Sequence, residues 1–596
     1  MKIETIRHSL SHVLAYAVQK LYPGVKFGIG PAIENGFYYD FEFIEADQRG
    51  LKRGITRIAP EDLPKIEEKM REIIKKNLEF RKKNLGIKET EELFRNQPYK
   101  LELIKELEKS GEKEVSTYQV GQFLDLCKGP HVKSTLQFHS GQAKEIIDSF
   151  KLTKIAGAYW RGNEKNPMLT RIYGIAFKTK KELDDYLLKE VEVVKRDHRK
   201  LGKDLELFSQ NEEVGAGLIL WHPKGAIVRE IIENFWQKEH KKRGYQLIFT
   251  PHIGKLDLWK KSGHWEFYRE NMYSPIEIDK EKYLLKPMNC PFHCQIYKSK
   301  IRSYKDLPLR FCELGTVYRY EKEGVLHGLL RVRGFTQDDA HIFCQPEKLT
   351  EEIKGVMDFA IFMLKIFGFE RYEIDLSLKD PTKKEKYLGT DRIWKKAENS
   401  LIYALKTSKL KYKKAIGEAV FYGPKIDIHL IDSLGRKWQG PTIQVDFNFP
   451  ERFDLNYIDK KGKKERVIMI HRTLLGAMER FLGCLLENYG GALPFWLSPE
   501  QIWIIPVGSR HEKYAAKVSQ QLIENSFRCK LKHENETVSK KIRDGELQKI
   551  PYLLVVGDKE LKDKSVRVRE RGKGDIGEVK FNQFIKKIKK LQAEIK

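Results

Sequence analysis

Cysteine is scarce: the 596 residues hold seven, at positions 127, 290, 294, 312, 344, 484 and 529. The number is odd and no Cys-x-x-Cys occurs, so neither a disulfide framework nor a zinc ribbon is written in the spacing. No stretch approaches the roughly 20 apolar residues that a membrane span requires. The first ten residues are charged and lack the apolar core of a signal peptide. These absences predict reduced thiols, a cytoplasmic location and no membrane partner. Repeats and low-complexity tracts are missing as well.

The chain exceeds the roughly 250–300 residues at which a single core stops growing, so three or four structural units are expected. Lys and Arg number 111 against 84 Asp and Glu, a net charge of +27. Such a charge attracts polyanions through counterion release, although a solvated lysine-rich surface reads the same way. Residues 1–180 mix short strands, such as 36–43, with helices, such as 60–84. Residues 181–204 are charged, free of Pro and Gly until Gly202 and apolar at helical spacing, which predicts a helix joining two domains. From 205 to 497 strands alternate irregularly with helices, and 425–431 and 443–449 carry the alternation of a sheet with one covered face. Residues 498–596 read as strand 502–507, helix 511–523 and strands 529–533 and 552–556, a small α/β unit with a parallel sheet. That last unit holds 23 Lys and Arg against 14 Asp and Glu, and is the expected place for an RNA contact.

Three segments of the central region carry candidate chemistry. The first is Lys286-Pro-Met288-Asn-Cys290-Pro-Phe-His-Cys294. The second is a strand–loop–strand unit over 309–343 with Tyr318-Arg-Tyr-Glu321 and Arg331-Val-Arg-Gly-Phe-Thr-Gln-Asp-Asp-Ala-His341. The third is Val467-Ile-Met-Ile-His471, running into a helix over 473–487 that bears Arg480. Cys290, His341 and His471 read as buried packing or as metal ligands, and spacing alone does not decide between them. His471 ends an apolar strand. On a helix, nine residues would turn it about 180° from Arg480, whereas a strand lets both face one pocket.

These segments resemble the three signature motifs of the class II aminoacyl-tRNA synthetases in their threonyl form, from about His8 to the C-terminus. Residues 246–252 resemble motif 1, residues 318–343 motif 2 and Gly476-Ala-Met-Glu-Arg480 motif 3. Lys-Pro-Met-Asn-Cys, Arg-Gly-Phe-Thr-Gln-Asp-Asp-Ala-His and Phe421-Tyr-Gly-Pro-Lys425 are similar to the threonyl branch in particular. The resemblance implies an α+β multidomain chain. Its expected parts are an antiparallel-sheet catalytic core (205–497), an α+β editing domain (1–180), a linker helix (181–204) and a C-terminal α/β anticodon-binding domain (498–596).

The implied activity joins L-threonine to tRNA(Thr) with ATP. Cys290, His341 and His471 become ligands of one zinc ion per subunit with an open position, and Mg2+ accompanies ATP. Arg319 falls on the α-phosphate and Arg480 on the γ-phosphate, since a planar guanidinium grips phosphate oxygens in pairs. Glu321 and Arg331 lie in the ATP pocket with Phe335 stacked on adenine. Met288, Gln337, Asp339, Tyr422, Lys425, Gln439 and Gln444 match positions lining the amino-acid and adenylate pocket. His264 matches a histidine near the terminal ribose of the tRNA, and motif 1 implies a homodimer.

His8 and His12 lie four apart on an expected helix, hence on one face, and Asp125-Leu-Cys127-Lys-Gly-Pro-His131 adds a Cys and a His. Two packed helical histidines or a four-ligand metal set both fit. The pattern resembles the editing domain shared by threonyl- and alanyl-tRNA synthetases, whose implied task is hydrolysis of serine mischarged on the tRNA. Lys100 and Asp125 match its polar groups. The threonyl branch implies positioned water there; whether this copy also takes a metal stays open. The chain starts at the editing domain, so a form without the further small N-terminal domain of many relatives is expected. Phe292 stands where a Gly is usual and Gly440-Pro441 follow Gln439 where Cys-Gly is common; Cys294 reads as packing. A non-catalytic RNA-binding relative would lack Arg319, Arg480 or a ligand. A serine or alanine enzyme would lack, respectively, the zinc set with the editing domain or the anticodon-type domain.

Overall fold

The computed structural model describes residues 2–43, 58–135 and 148–593. They divide into two compact units, Met1–Val191 and Glu192–Lys596.

In the first unit the helix Ile3–Leu21 buries Ile6, Leu10, Val13, Leu14, Ala17 and Val18, the spacing of one helical stripe. This face packs on Phe37, Tyr39 and Phe41 of the strand Gly36–Glu42. That strand lies in an antiparallel sheet with Met168–Ala176 and Phe150–Tyr159. A second sheet runs Phe80–Gly86, Glu114–Val120, Phe123–Leu126. The expected helix over 60–84 stops at Lys75, because Asn77 adopts a φ of 51°. The chain then enters the charged edge strand Phe80–Gly86, and edge positions favour lysine because it discourages further pairing.

The joining helix is also interrupted. It runs Lys180–Arg196, then restarts as His198–Asp204 with Asp197 as cap, its carboxylate accepting the Arg199 N–H at 2.8 Å.

The second unit is built on an eight-stranded sheet. Six strands run antiparallel in the order Leu309–Tyr318, Gly334–Cys344, Ile468–Thr473, Lys437–Asp446, Lys425–Ile431 and Arg371–Leu378. Gln246–Leu247 and Lys413–Ile416 add parallel edges. Alternation along these strands sorts side chains to two faces. Ala340, Ile342, Cys344, Ile443, Val445, Ile468 and Ile470 join the core formed with the helices Leu349–Ile366 and Met478–Tyr489. Phe311, Phe343 and Met469 point the other way, against the helix Cys290–Lys298. Two expected boundaries move. The strand expected over 443–449 ends at Asp446, whose Oδ1 accepts the N–H groups of Asn448 and Phe449 at 2.6 and 3.1 Å and starts the turn Asn448–Arg452. The helix expected from 473 begins at Met478, because Asp338 Oδ2 holds the N–H groups of Leu474 and Leu475 at 2.8 and 2.6 Å.

The C-terminal sheet runs Cys529–Leu531, Ile502–Pro506, Tyr552–Val556 in parallel. Ser565–Glu570 and Gly574–Lys580 then continue it antiparallel, so the sheet is mixed where an all-parallel one was expected. Helices cover both faces, Glu512–Glu524 and Phe581–Ala593 over one core and Val538–Leu547 over the other.

Candidate functional sites

Strand register assembles the central site. Phe311 pairs with His341, His341 with His471, His471 with Gln444 and Gln444 with Lys425, one row across five strands. Residues two apart share a face, so Phe335, Gln337, Asp339 and His341 lie on the same side of their strand. This face floors a cavity of about 720 Å³ lined by Met288, Cys290, Arg319, Gln337, Asp339, His341, Tyr422, Gln444 and His471, nine residues the sequence singled out. Gly315 keeps the floor open beside them: a Cβ there would stand 2.5 Å from the Asn289 side chain, whose amide donates to Asp339 at 3.1 Å.

Cys290 Sγ, one nitrogen of His341 and one of His471 all lie within 4.8 Å of one another. Their outer partners fix the tautomers. Thr250 donates twice to Glu313, from its N–H at 3.1 Å and its hydroxyl at 2.7 Å. Burial raises the Glu313 carboxyl, but His293, Lys286 and Thr250 outweigh this and hold it below its ordinary value. The ionised carboxylate therefore accepts His293 Nε2–H at 3.0 Å, leaving His293 Nδ1 to accept His341 Nδ1–H at 2.8 Å. His471 Nε2–H likewise donates to Asp446 Oδ2 at 2.9 Å. The remaining nitrogens, His341 Nε2 and His471 Nδ1, then face each other at 3.0 Å with lone pairs on both. Two such acceptors repel unless a cation or proton sits between them, and a thiol at hand makes a Cys-His-His set that suits zinc. Burial lifts the Cys290 thiol well above its ordinary range, so a thiolate there depends on a bound cation.

Beside this set lies a cluster of arginines. The Arg319 guanidinium sits 5.0 Å over the Phe335 ring and donates to the Pro287 carbonyl at 3.2 Å. Arg331 pairs with Glu321 at 2.9 Å. Arg480 donates from Nε to the Leu330 carbonyl at 3.1 Å. Burial draws the Arg480 guanidinium below its ordinary value; Cys484 opposes this, while the nearby Arg319 and Arg331 charges reinforce it. Clustered cations of this kind suit a polyphosphate.

Seven of the predicted central residues lie outside the cavity lining: Glu321, Arg331, Phe335 and Arg480 belong with the arginine cluster, and Lys425, Gln439 and His264 stand apart from both. Lys425 and Gln439 both turn to Asp427, at 2.8 and 3.0 Å. His264 is fully buried behind the lining, its Nδ1 2.7 Å from Ser262 Oγ and its Nε2 2.9 Å from Met288 Sδ, and burial lowers its pKa to about 3. Phe292 packs among Leu256, Trp259 and Met272, outside the lining, and Gly440 lies where a Cβ would press Leu430 at 2.9 Å. Cys294 packs 3.8 Å from Met469 Sδ, as expected. Sequence reasoning missed Asp446, Glu313, His293 and Asn289. Asn289 and His293 left a trace, one residue before and three residues past Cys290 in the same segment.

The first unit gathers His8, His12, Cys127 and His131, again with ligand atoms within 4.8 Å of one another. Cys127 Sγ lies 3.3 Å from His8 Nε2 and 3.2 Å from His131 Nε2. Burial depresses the pKa values of all three histidines and pushes the Cys127 thiol up to about 11, so the cluster is neutral. Asp125 stands beside it, 3.6 Å from His12 Nε2, paired with the Lys100 ammonium and accepting Tyr39 Oη–H at 2.6 Å.

The likenesses to known proteins are specific. Residues 273–489 match the class II tRNA synthetase core of the G, H, P, S and T enzymes. Residues 501–591 match an anticodon-binding domain, and 115–173 the second additional domain of threonyl- and alanyl-tRNA synthetases. A threonine–tRNA ligase of Dehalococcoides mccartyi strain CBDB1 is 53% identical, over all of this chain and 98% of the relative. That of Aquifex aeolicus is 50% identical over 98% of this chain and 89% of its own. The crystallised RNA-binding domain of threonyl-tRNA synthetase from Cryptosporidium parvum superposes with a TM-score of 0.63 at 40% identity, covering 66% of this chain and 98% of that one. With homology at this level along its whole length, and with each matched domain present in the fold, the chain belongs to the threonyl-tRNA synthetase family of class II aminoacyl-tRNA synthetases.

Proposed function

We propose that this threonine–tRNA ligase divides its chemistry between the two clusters, a zinc-bearing synthetic site in the central sheet and a hydrolytic site in the N-terminal unit. The pair of opposed lone pairs on His341 and His471 beside Cys290 carries the first half of this reading. Zinc held by these three residues would offer an open position to the amine and hydroxyl of threonine, a demand that isosteric valine cannot meet.

In activation, a threonine carboxylate oxygen bonds to the α-phosphorus of ATP as the bond to the β-phosphate oxygen breaks and pyrophosphate leaves. Mg2+ enters with the ATP. Arg319 holds the α-phosphate and Arg480 the γ-phosphate, with Glu321 and Arg331 bordering the nucleotide and Phe335 stacked on its base. Cations fixed in place before charge gathers at phosphorus lower the barrier without reorganisation. Gln337, Asp339, Tyr422, Gln444 and Met288 shape the amino-acid end, and Lys425 and Gln439, tied to Asp427, flank it on the neighbouring strands. In transfer, a hydroxyl of the tRNA terminal ribose attacks the adenylate carbonyl and AMP leaves; neutral His264 assists loss of the hydroxyl proton once Met288, 2.9 Å from its Nε2, moves aside. His264→Ala is expected to slow single-turnover transfer by about a hundredfold, in the range of general-base effects. An unchanged transfer rate excludes the role.

Serine also carries the hydroxyl, and one absent methyl separates it from threonine by only about 10–200-fold. His8, His12, Lys100, Asp125, Cys127 and His131 therefore position water to hydrolyse seryl-tRNA(Thr). We assign the domains to 1–180 (editing), 181–204 (linker), 205–497 (catalysis) and 498–596 (anticodon). The enzyme works in the cytoplasm as a homodimer through residues 246–252, where Phe249 is 81% exposed and the adjoining Ile253 41%. Among the described residues no helix is long and apolar enough to cross a membrane.

Amino-acid-dependent ATP–pyrophosphate exchange tests the synthetic site. Threonine is expected to exceed serine by about 10–200-fold and valine by about 10⁴-fold or more. Exchange indifferent to threonine overturns the reading.

A further inference from the structure

His198, on the segment that joins the two folded units, lies fully buried against the loop that carries Leu329 and Leu330. Both its ring nitrogens are engaged. Nδ1 meets Glu487 Oε1 at 2.6 Å, and the same oxygen accepts the His198 backbone N–H at 3.1 Å. Nε2 accepts the Leu329 N–H at 3.0 Å. The ring is therefore the neutral tautomer with its proton on Nδ1, since Nε2 must keep a lone pair for Leu329.

The two groups it grips bracket Arg480. Glu487 lies seven residues along the same helix, Met478–Tyr489. Leu329 precedes Leu330, whose carbonyl accepts Arg480 Nε–H at 3.1 Å. With Nε held there, the two terminal nitrogens remain for a ligand. The loop is shaped to let the imidazole in. Gly328 has a φ of 49°, and a Cβ on it would lie 2.1 Å from His198 Nε2. A Cβ on Gly483, in the helix, would lie 3.0 Å from Leu330 Cδ2 and 3.6 Å from His198 Cδ2. Glu487 is in turn locked by Arg436 at 2.6 Å.

We propose that His198 is a positioning residue for the ATP half of the reaction: by bridging Glu487 and the Leu329 amide it sets the Leu330 carbonyl that aims Arg480. This rests on the assignment of Arg480 to the γ-phosphate. Loss of the bridge frees the 327–331 loop, so Arg480 meets the triphosphate at a lower population of its working rotamer. The amino-acid end, floored by another row of the sheet, is untouched.

The test is pyrophosphate exchange by the full-length enzyme, corrected for active-site concentration by titration, with KM for ATP and for threonine measured separately. His198→Ala is expected to raise KM for ATP about tenfold, the scale of one buried hydrogen bond, with KM for threonine unchanged. His198→Gln, which can still donate and accept, is expected to recover most of the loss. Gly328→Ala, which displaces the ring without removing it, is expected to reproduce the effect if the His198→Ala protein does not fold. In an Arg480→Ala background the His198 substitution is expected to add nothing. Full additivity with Arg480→Ala, or equal change in both KM values, overturns the proposal while leaving the role of Arg480 standing. If Arg480→Ala itself leaves the ATP parameters unchanged, the γ-phosphate assignment falls and the proposal with it.

Discussion

Cys290→Ala is expected to take bound zinc from about one equivalent per chain to nearly none, and to lower threonine-dependent exchange by more than a hundredfold. The basis is the donor geometry. His341 and His471 each present one lone pair, aimed by Glu313 through His293 and by Asp446. Two nitrogens without the sulfur leave a site short of the three protein ligands that an open zinc centre needs. Loss of an outer partner alone costs about 10–100-fold in metal affinity, so loss of a direct ligand must exceed that. Glu313→Gln provides the graded comparison. Its amide can still accept from His293, but weakly, and zinc affinity is expected to fall by about 10–100-fold with the fold intact. The substitution of Cys290 removes one buried sulfur from a helix start and little else, so thermal unfolding of the metal-free proteins should coincide. Metal analysis and exchange on the same preparation check both halves. Retention of zinc together with wild-type exchange refutes the assignment. Retention of a full equivalent with exchange lost would place that zinc instead on His8, His12, Cys127 and His131.

The three proposed ligands were marked by the family resemblance, since spacing left Cys290, His341 and His471 open between packing and metal; local pattern indicated only the strand that carries His471. His471 follows a run of four apolar residues, which predicts a strand ending at the ring; the strand is there, but it runs Ile468–Thr473 and carries His471 inside it, paired with His341 and Gln444. The shell that orients these side chains was not legible. Asp446 lies 25 residues from His471, and Glu313 lies 20 from His293, and only the register of antiparallel strands brings such residues together. Register arises from pairing over long separations, which local pattern does not encode. The boundary errors share this origin. Nothing in residues 76–84 forbids a helix, yet pairing with Glu114–Val120 makes Phe80–Gly86 a strand. Residues 473–477 look helical, but the buried Asp338, from a strand more than a hundred residues earlier, captures the amides of Leu474 and Leu475. Asp197 is a break that local chemistry does explain, since a free carboxylate caps the helix behind it as readily as it extends the one ahead. Lys425 and Gln439 show the converse limit: motif position indicated the pocket, while their side chains turn to Asp427, a buried carboxylate no motif had marked.

Lys100→Met carries the largest expected effect in the N-terminal unit. Lys100 and Asp125 are each only 2% exposed, and the ammonium donates to Tyr39 Oη at 3.1 Å as well as pairing with the carboxylate. His12, 3.6 Å from the carboxylate, cannot replace the charge, because burial first, with His8 and Lys100 adding to it, keeps its ring neutral. Burial likewise raises the Tyr39 hydroxyl well above its ordinary range, so tyrosine supplies one hydrogen bond and no charge. Methionine keeps the apolar stem and removes the only cation paired with Asp125 among the described residues. An orphaned buried charge costs about 3–5 kcal/mol, so the first unfolding transition of the full chain should fall and hydrolysis of seryl-tRNA(Thr) should fall at least a hundredfold. The double substitution Lys100→Met with Asp125→Leu separates the two losses. Replacing both charges by apolar groups is often neutral or stabilising, so stability should return while hydrolysis stays lost. Wild-type unfolding in Lys100→Met would mean that the pair holds nothing together. Recovered hydrolysis in the double variant would mean that water is positioned by the His8, His12, Cys127 and His131 cluster without these charges.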